Sequence, residues 1–440
     1  MKTDFLRNRT LKNVFWLFGG QFVRRVLVFL VGILSARYLG PDNFGLINYC
    51  AAYLTFFASL CTLGIDSVIL KVLEDNPGEA GQTMGTTLVL RGVSSLLSAA
   101  AMVGIVAIAD RGEPLTVAVA ALTGVSLLFQ IFESINEWFQ WQLRSRFSAI
   151  ATVAAYIAVS AYKIALLVTG KSVIWFALSN AVEYCVLAVC LLLAYRKNGG
   201  PRFSFSMKKA RQLLSRSSGF ILSGLMVSVY ASTDKLMLKQ MLSEAAVGHY
   251  ALATSLSTMW CFALLAIINS MAPGIVRLFS TDREAYLRRN RQLYAIVFYL
   301  CVLASGVICL LAEPIIRILY GESYLGAVAP LRIVVWYTAF SYLGVARNTW
   351  MVCENRQKYL KYLYLAAAAV NVILNLLLIP AFGGAGAAAA SLVTQTVTIL
   401  VMPALIRPLR PNARLMLQAI ALKGVLPSRN HIHNEEGTES

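Results

Sequence analysis

The sequence predicts an all-α polytopic membrane protein, with about twelve transmembrane helices in two pseudo-symmetric six-helix bundles. Three observations carry this prediction. Of 440 residues, 58% are hydrophobic and only 14% charged, at a mean hydropathy of +0.66. One or two soluble cores could not hide that much apolar surface. Windows of roughly 20 apolar residues, enough to cross a bilayer, recur from end to end. The 39 Lys and Arg are also spread unevenly among the segments between those windows.

Taken in order, the spans are 13–36, 44–65, 85–109, 114–136, 148–169, 172–195, 217–239, 246–270, 291–312, 327–350, 361–379 and 384–406. A short basic segment, 1–12, precedes the first. It could open a signal peptide, but Arg24 and Arg25 interrupt the apolar run, whose length suits a span, and no A-x-A-like cleavage site follows. An uncleaved first helix is expected. Residues 13–195 form the first six-helix bundle, 196–216 a basic linker and 217–406 the second bundle. A basic, then polar tail occupies 407–440, with Asn430–Ser440 expected to be disordered. Within the linker, Met207–Ser215 reads as a basic amphipathic helix lying on an anionic leaflet.

Orientation follows from the basic residues. With the N-terminus inside, 27 Lys and Arg fall on cytoplasmic segments, five on external loops (Arg37, Arg111, Lys171, Lys239, Arg317) and seven within spans. This positive-inside bias puts both termini in the cytoplasm. One segment dissents: 66–85 carries Asp66, Glu74, Asp75 and Glu79 against Lys71 alone. The net charge of +18 does not point to nucleic acid, because the basic residues sit in short interhelical loops without aromatic platforms. The eight cysteines fall in or beside apolar segments, with no zinc or disulfide spacing.

Two sets of matches suggest an internal repeat. Leu39–Gly45 after the first span corresponds to Leu242–Gly248 after the seventh, at an offset of 203 residues. Arg144–Phe147 corresponds to Arg356–Tyr359, and Trp175–Ser179 to Ala387–Ser391, both at an offset of 212. Six spans per half preserve orientation, so the halves are parallel repeats about an axis along the membrane normal. Transporters built this way hold substrate between their halves.

The sharpest functional clue is charge at membrane depth. Arg24 and Arg25 lie near the middle of the first span, and Arg91, Lys163 and Lys235 sit in or near the ends of others. A cation at the bilayer centre costs at least ~2.5 kcal/mol, so protein or a water-filled cavity must solvate it. Cations not matched one for one by acids suit an anion such as a diphosphate, which guanidinium forks bind bidentately. Neighbours on a helix point ~100° apart, so Arg24 and Arg25 do not both face one cavity squarely. Pairing between helices, for example with Glu183, is the competing explanation. Glu133, Glu137, Glu183 and Asp234 are the candidate ion- or proton-coupling groups. Arg332 and Arg347, near opposite ends of the tenth span, are expected to anchor it. Trp138, Trp141, Trp336 and Trp350 suit an interfacial belt.

Several segments together resemble the oligosaccharide flippases of the polysaccharide transporter family, relatives of the multidrug-and-toxin exporters and of the lipid II flippase. They are Ala36–Gly45, Asp234–Gly248, Ile318–Tyr324, and Asn371–Asn375 with Ile379–Ala387. The resemblance spans roughly 13–406. It implies a multidrug-exporter-like fold in a bacterial cytoplasmic membrane. The implied cargo is an undecaprenyl-diphosphate-linked oligosaccharide, moved for O-antigen, capsule or exopolysaccharide assembly. Membrane lipids, glycosyltransferases and a polysaccharide polymerase are the implied partners. Twelve spans rather than the fourteen typical of lipid II flippases favour that branch. No Walker A motif, metal-ligand cluster or cofactor motif is present, and neither covalent catalysis nor a nucleic-acid partner is expected. The alternatives are a multidrug exporter, which wants an acidic cavity, and a membrane glycan polymerase or ligase, which wants a large outer loop.

Overall fold

A computed structural model describes the backbone of residues 2–423 and the side chains of residues 26–221 and 224–423. The expected disordered tail, Asn430–Ser440, lies outside the described residues. Among the described residues nine helices are long and apolar enough to cross a membrane, or ten when the bent pair Met207–Ile221 and Gly224–Met241 counts as one span. Two of the nine, Val26–Asp75 and Gln357–Leu405, are each broken by a glycine with positive φ, Gly40 at 71° and Gly383 at 57°. Only glycine adopts that backbone without strain. Pro41, directly after Gly40, has its φ preset for restarting a helix. With the two legs of each broken helix counted separately, these make twelve helical segments among the described residues, the number expected of spans.

The chain divides into two compact units, residues 1–248 with 319–323, and residues 249–318 with 324–440. In the first, Arg146–Val168 packs on both Lys2–Cys61 and Ser179–Lys197. The acidic stretch expected as a loop is instead a helix, Asp66–Asp75, which buries Ile69, Val72 and Leu73. These three join Met84, Ile135, Phe139, Leu191 and Leu213 in one apolar cluster. Its acids meet the basic residues that the sequence places elsewhere. Arg216 binds Asp75 at 3.0 Å and Lys209 binds Glu79 at 2.5 Å, so the dissenting segment is neutralised by the linker. The linker itself runs along the next helix, Ala80–Ala109, with Ser204 N donating to the Gly81 carbonyl at 3.2 Å and Ser206 N to Thr86 Oγ1 at 3.0 Å. Met207–Ser215 is not a separate surface helix. It forms the first turns of Met207–Met241, because no Gly or Pro intervenes before Gly219.

The repeated glycines meet. A Cβ on Gly45 would clash with the Glu244 carbonyl and approach Gly248 N to 2.9 Å, while one on Gly248 would clash with the Pro41 carbonyl and approach Gly45 N to 3.2 Å. Each contact maps onto the other by the 203-residue offset. The two glycine turns therefore cross about a local pseudo-two-fold axis, at a separation that only missing side chains permit.

The second unit departs from the expected spans at its start. The predicted eighth span, 246–270, is broken: Glu244–Thr258 ends, and Phe262–Thr281 begins after three intervening residues. The next helix, Arg283–Leu310, is capped by the Asp282 carboxylate, which accepts from Ala285 N at 2.9 Å. Asn375 donates to Asn371 at 3.1 Å within the eleventh helix, both fully buried. Beyond the last span, Arg410–Ile420 turns Leu415, Met416 and Ala419 into the core of this unit beside Leu293 and Tyr294. Trp138 and Trp350 are buried in the two cores and do not join an interfacial belt; Trp138 stacks edge-on against Tyr195 at 4.6 Å.

Candidate functional site

Six helical segments of the first unit bring its ionisable side chains together. Arg91, on Ala80–Ala109, is 3% exposed and its guanidinium contacts the Asp66 carboxylate. That contact joins a deep cation to the half-exposed first residue of the Asp66–Asp75 helix. Glu137, on Ser134–Trp141, faces Asp66, Arg91 and Glu133. Glu133 then lines a cavity of about 130 Å³ with Asn136, Thr152, Tyr156, Glu183 and Tyr184. The charge of Glu183 in turn acts on Lys163. Four carboxylates and two cations thus form one run through the unit.

The 3-10 turn Ile131–Glu133 makes this possible. It tightens the chain between Pro114–Gln130 and Ser134–Trp141, aiming Glu133 and Asn136 toward Glu183 on Ser179–Lys197. Two convergent carboxylates with amide and phenol groups suit a small cation or a proton. A cavity of about 130 Å³ is smaller than the ~300–1,000 Å³ sites that take drug-sized molecules.

A second network was not legible in the sequence. Lys239, counted there as an external-loop cation, ends the Met207–Met241 helix with its side chain only 7% exposed. It binds Asp110 at 3.1 Å, Glu113 at 2.5 Å and Glu244 at 3.5 Å. Gln240 donates to Tyr49 Oη and to Asp110 Oδ1, each at 2.8 Å, and Tyr49 donates to Asp110 Oδ2 at 2.7 Å. In the loop between the third and fourth spans, the hydrogen bond from Lys239 holds the Glu113 carboxyl below the usual carboxylate range, against a smaller opposing effect of burial. Every strong group in this network is satisfied, so it ties the seventh helix to the third and fourth and to Tyr49 on the second. The acid-rich loop Asp110–Glu113 was the only available signal, and nothing in it named a partner more than 120 residues away.

The remaining candidates fall as follows. The side chains of Arg24 and Arg25 lie outside the described residues. Lys235 lies beside Asp234, whose charge acts on it, and Asp234 is 6% exposed. Arg91, Lys163 and Lys235 therefore each have an acidic neighbour. Arg332 is exposed, whereas Arg347 is buried and does not anchor the helix end as expected.

Comparison with known proteins agrees with this architecture. Residues 10–279 match the family described as polysaccharide biosynthesis protein. The probable flippase AglR of Haloferax volcanii is 24% identical over 396 residues, which cover 86% of this chain and 79% of that protein. The fold is similar to the lipid II flippase MurJ in an inward closed conformation, at a TM-score of 0.74, 12% identity and coverage of 93% and 92%. It is also similar to an inward-facing multidrug resistance transporter of the MATE family, at a TM-score of 0.67, 15% identity and coverage of 89% and 94%. The family match covers more than half of the chain, which therefore belongs to that polysaccharide biosynthesis family. It is a multi-pass membrane protein with the fold of these transporters.

Proposed function

We propose that this member of the polysaccharide biosynthesis family carries an undecaprenyl-diphosphate-linked oligosaccharide across the bacterial cytoplasmic membrane, from the inner to the outer leaflet. The exported repeat unit would enter O-antigen, capsule or exopolysaccharide assembly, between the glycosyltransferases that build it and the polymerase that consumes it. Both termini are cytoplasmic in this reading. Alternating access moves the cargo, and no bond is made or broken.

The observation that carries the reading is the pairing of deep cations with carboxylates. A cation already matched by a carboxylate tolerates its apolar surroundings while the carrier is empty. A diphosphate offers the same cation more oxygens and more charge than one carboxylate, so it can displace that partner. Arg91 with Asp66 is such an ion pair, and Lys163 and Lys235 each feel the charge of a nearby acid, Glu183 and Asp234. A carboxylate released by the cargo in a low-dielectric site gains affinity for a proton or a small cation. Arg24 and Arg25, near the midplane of the first span, are proposed to complete the anion-binding set.

The same geometry argues against a drug exporter. The acidic cavity of the first unit is too small for a drug, and its carboxylates have nearby cations of their own. The test uses purified protein in vesicles carrying the lipid-linked repeat unit in both leaflets. An impermeant lectin reads the arrival of glycan at the outer surface. Flipping faster than in protein-free vesicles, slowed in Arg24→Gln and Arg25→Gln and partly restored by Arg→Lys, is the expected result. Vesicles that move a cationic dye but leave the glycan lipid in place would sink the proposal.

A further inference from the structure

Arg347 lies on the Val328–Cys353 helix, six residues (~9 Å along the axis) before its end. At 1% exposed, it heads the fully buried side chains when these are ranked by volume. Its Nε and Nη1 find no acceptor, and no carboxylate among the described residues lies within ion-pair distance of it. The nearest acid along its own helix, Glu354, is bound by Arg283 at 2.6 Å. The ionisable groups facing it are the phenols of Tyr364 and Tyr294. Tyr294 Oη accepts from Asn412 Nδ2 at 2.8 Å, which leaves its own proton free to donate. One turn along from Arg347, the Trp350 indole N–H is also buried without an acceptor.

The chemistry of this group is one-sided. Guanidinium and indole only donate, and the phenol has its donor to spare. Unpaired donors around a positive charge that meets no described carboxylate suit something anionic that only accepts. The planar fork of arginine matches an oxyanion with two oxygens better than a monatomic ion. Water can satisfy the hydrogen bonds but not the charge.

We propose that Arg347, with the Tyr294 hydroxyl and the Trp350 indole, forms a phosphate-class oxyanion site inside the second unit, covered by the C-terminal helix that carries Asn412. The phosphate belongs either to a headgroup of the surrounding lipid or to a soluble or cargo-borne diphosphate. This site is independent of the first-unit cations on which the proposed cargo binding rests.

The test uses the full-length protein, delipidated in a neutral detergent and a chloride-free buffer. Inorganic diphosphate is titrated while thermal unfolding is followed. The wild type should show a saturable stabilisation. Tyr294→Phe, which removes one charge-assisted donor, should raise the half-saturating concentration about tenfold or more. Arg347→Gln should abolish the response, and Arg347→Lys should keep a weaker one. Native mass spectrometry separates the two sources. One phosphatidylglycerol retained by the wild type but not by Arg347→Gln assigns the site to a headgroup, whereas no retained lipid with an intact diphosphate response assigns it to the soluble group. Should Arg347→Gln fail to fold, the Tyr294→Phe titration decides. A wild type that neither responds to diphosphate nor retains an anionic lipid, together with an Arg347→Met variant at least as stable, overturns the site and leaves Arg347 a hydrated structural residue.

Discussion

Substituting Gly45 by Ala tests the crossing of the two repeated turns. The added Cβ would overlap the Glu244 carbonyl, whose carbon would lie 2.6 Å away, with Gly248 N at 2.9 Å. Ordinary contacts between carbon atoms are ~3.5–4.0 Å, so the helices must part by about 1 Å. The obstructing atoms are backbone and cannot swing aside like the end of a side chain. Overpacking of this kind costs about 3 kcal/mol, toward the upper end of the usual range. The better helix propensity of Ala returns about 1 kcal/mol. A net loss of ~2 kcal/mol corresponds to a fall in Tm of about 4–8 °C for a unit of this size. Gly306→Ala is the matched control, since a Cβ there meets nothing within 4 Å in the penultimate turn of Arg283–Leu310. It should gain about 1 kcal/mol and melt higher. Thermal unfolding of the three purified proteins in one detergent reads the contrast. If Gly45→Ala melts at or above the wild type, alongside Gly306→Ala, the helices are not in the contact described.

Four further outcomes are expected. Lys239→Met strips its buried partner Asp110, 2% exposed, of a cation and should destabilise by about 3–5 kcal/mol, with Asp110→Asn in the same background recovering part of the loss. Because Lys239 holds Glu113 below its ordinary value of about 4.3, the stability Glu113 contributes is fully present above that pH and lost as pH falls through the lowered value. The gap in Tm between wild type and Glu113→Gln should therefore close on acidification, and a gap that widens would reverse the assigned sign. Single cysteines at the exposed positions Ser204 and Lys358, in a cysteine-free background, should be shielded from an impermeant thiol reagent in intact cells, and external labelling of either would invert the topology. Glu183→Gln should slow flipping in vesicles and weaken its response to an imposed proton gradient, and unchanged transport with unchanged gradient dependence would remove Glu183 from the mechanism.

Local signals were legible wherever one residue type dictates one backbone. Gly40 followed by Pro41, and Gly383 after Pro380, mark the two tight reversals, and the apolar windows between them locate the legs. The Asp66–Asp75 helix was missed because its acids read as loop, although Ile69, Val72 and Leu73 lie on one face at helical spacing. The eighth span was misplaced because Glu244–Thr258 and Phe262–Thr281 are both apolar, and Thr258–Cys261 carries no glycine or proline to announce the break. Charge pairing was the least legible feature. Arg91 with Asp66 joins residues 25 apart, and Lys239 with Asp110 joins residues 129 apart. Depth in a span can be counted from sequence, but a partner on another helix depends on packing that no local pattern encodes. Arg347 shows the converse: its place near a helix end suggested an anchor, whereas packing against residues distant in sequence, Tyr294 and Tyr364 among them, leaves it buried.

Charge pairing also constrains how the proposed transport is driven. Two negative charges moving outward gain ~2.3 kcal/mol each per 100 mV of inside-negative potential, provided nothing neutralises them. A carrier that presented unpaired cations would cancel that gain by returning empty with its own positive charge. Where a cation has a carboxylate beside it, as Lys163 has Glu183, that pair adds no net charge to the empty carrier and makes no demand on the voltage during its return. The loaded carrier then bears the cargo's charge, less whatever protons the displaced carboxylates take up. One proton per displaced carboxylate would reduce the net charge moved and exchange voltage dependence for pH dependence. The ratio of those two dependences in one set of vesicles thus counts how many carboxylates the cargo displaces. A response to voltage alone would mean that Glu183 and its neighbours stay ionised throughout the cycle.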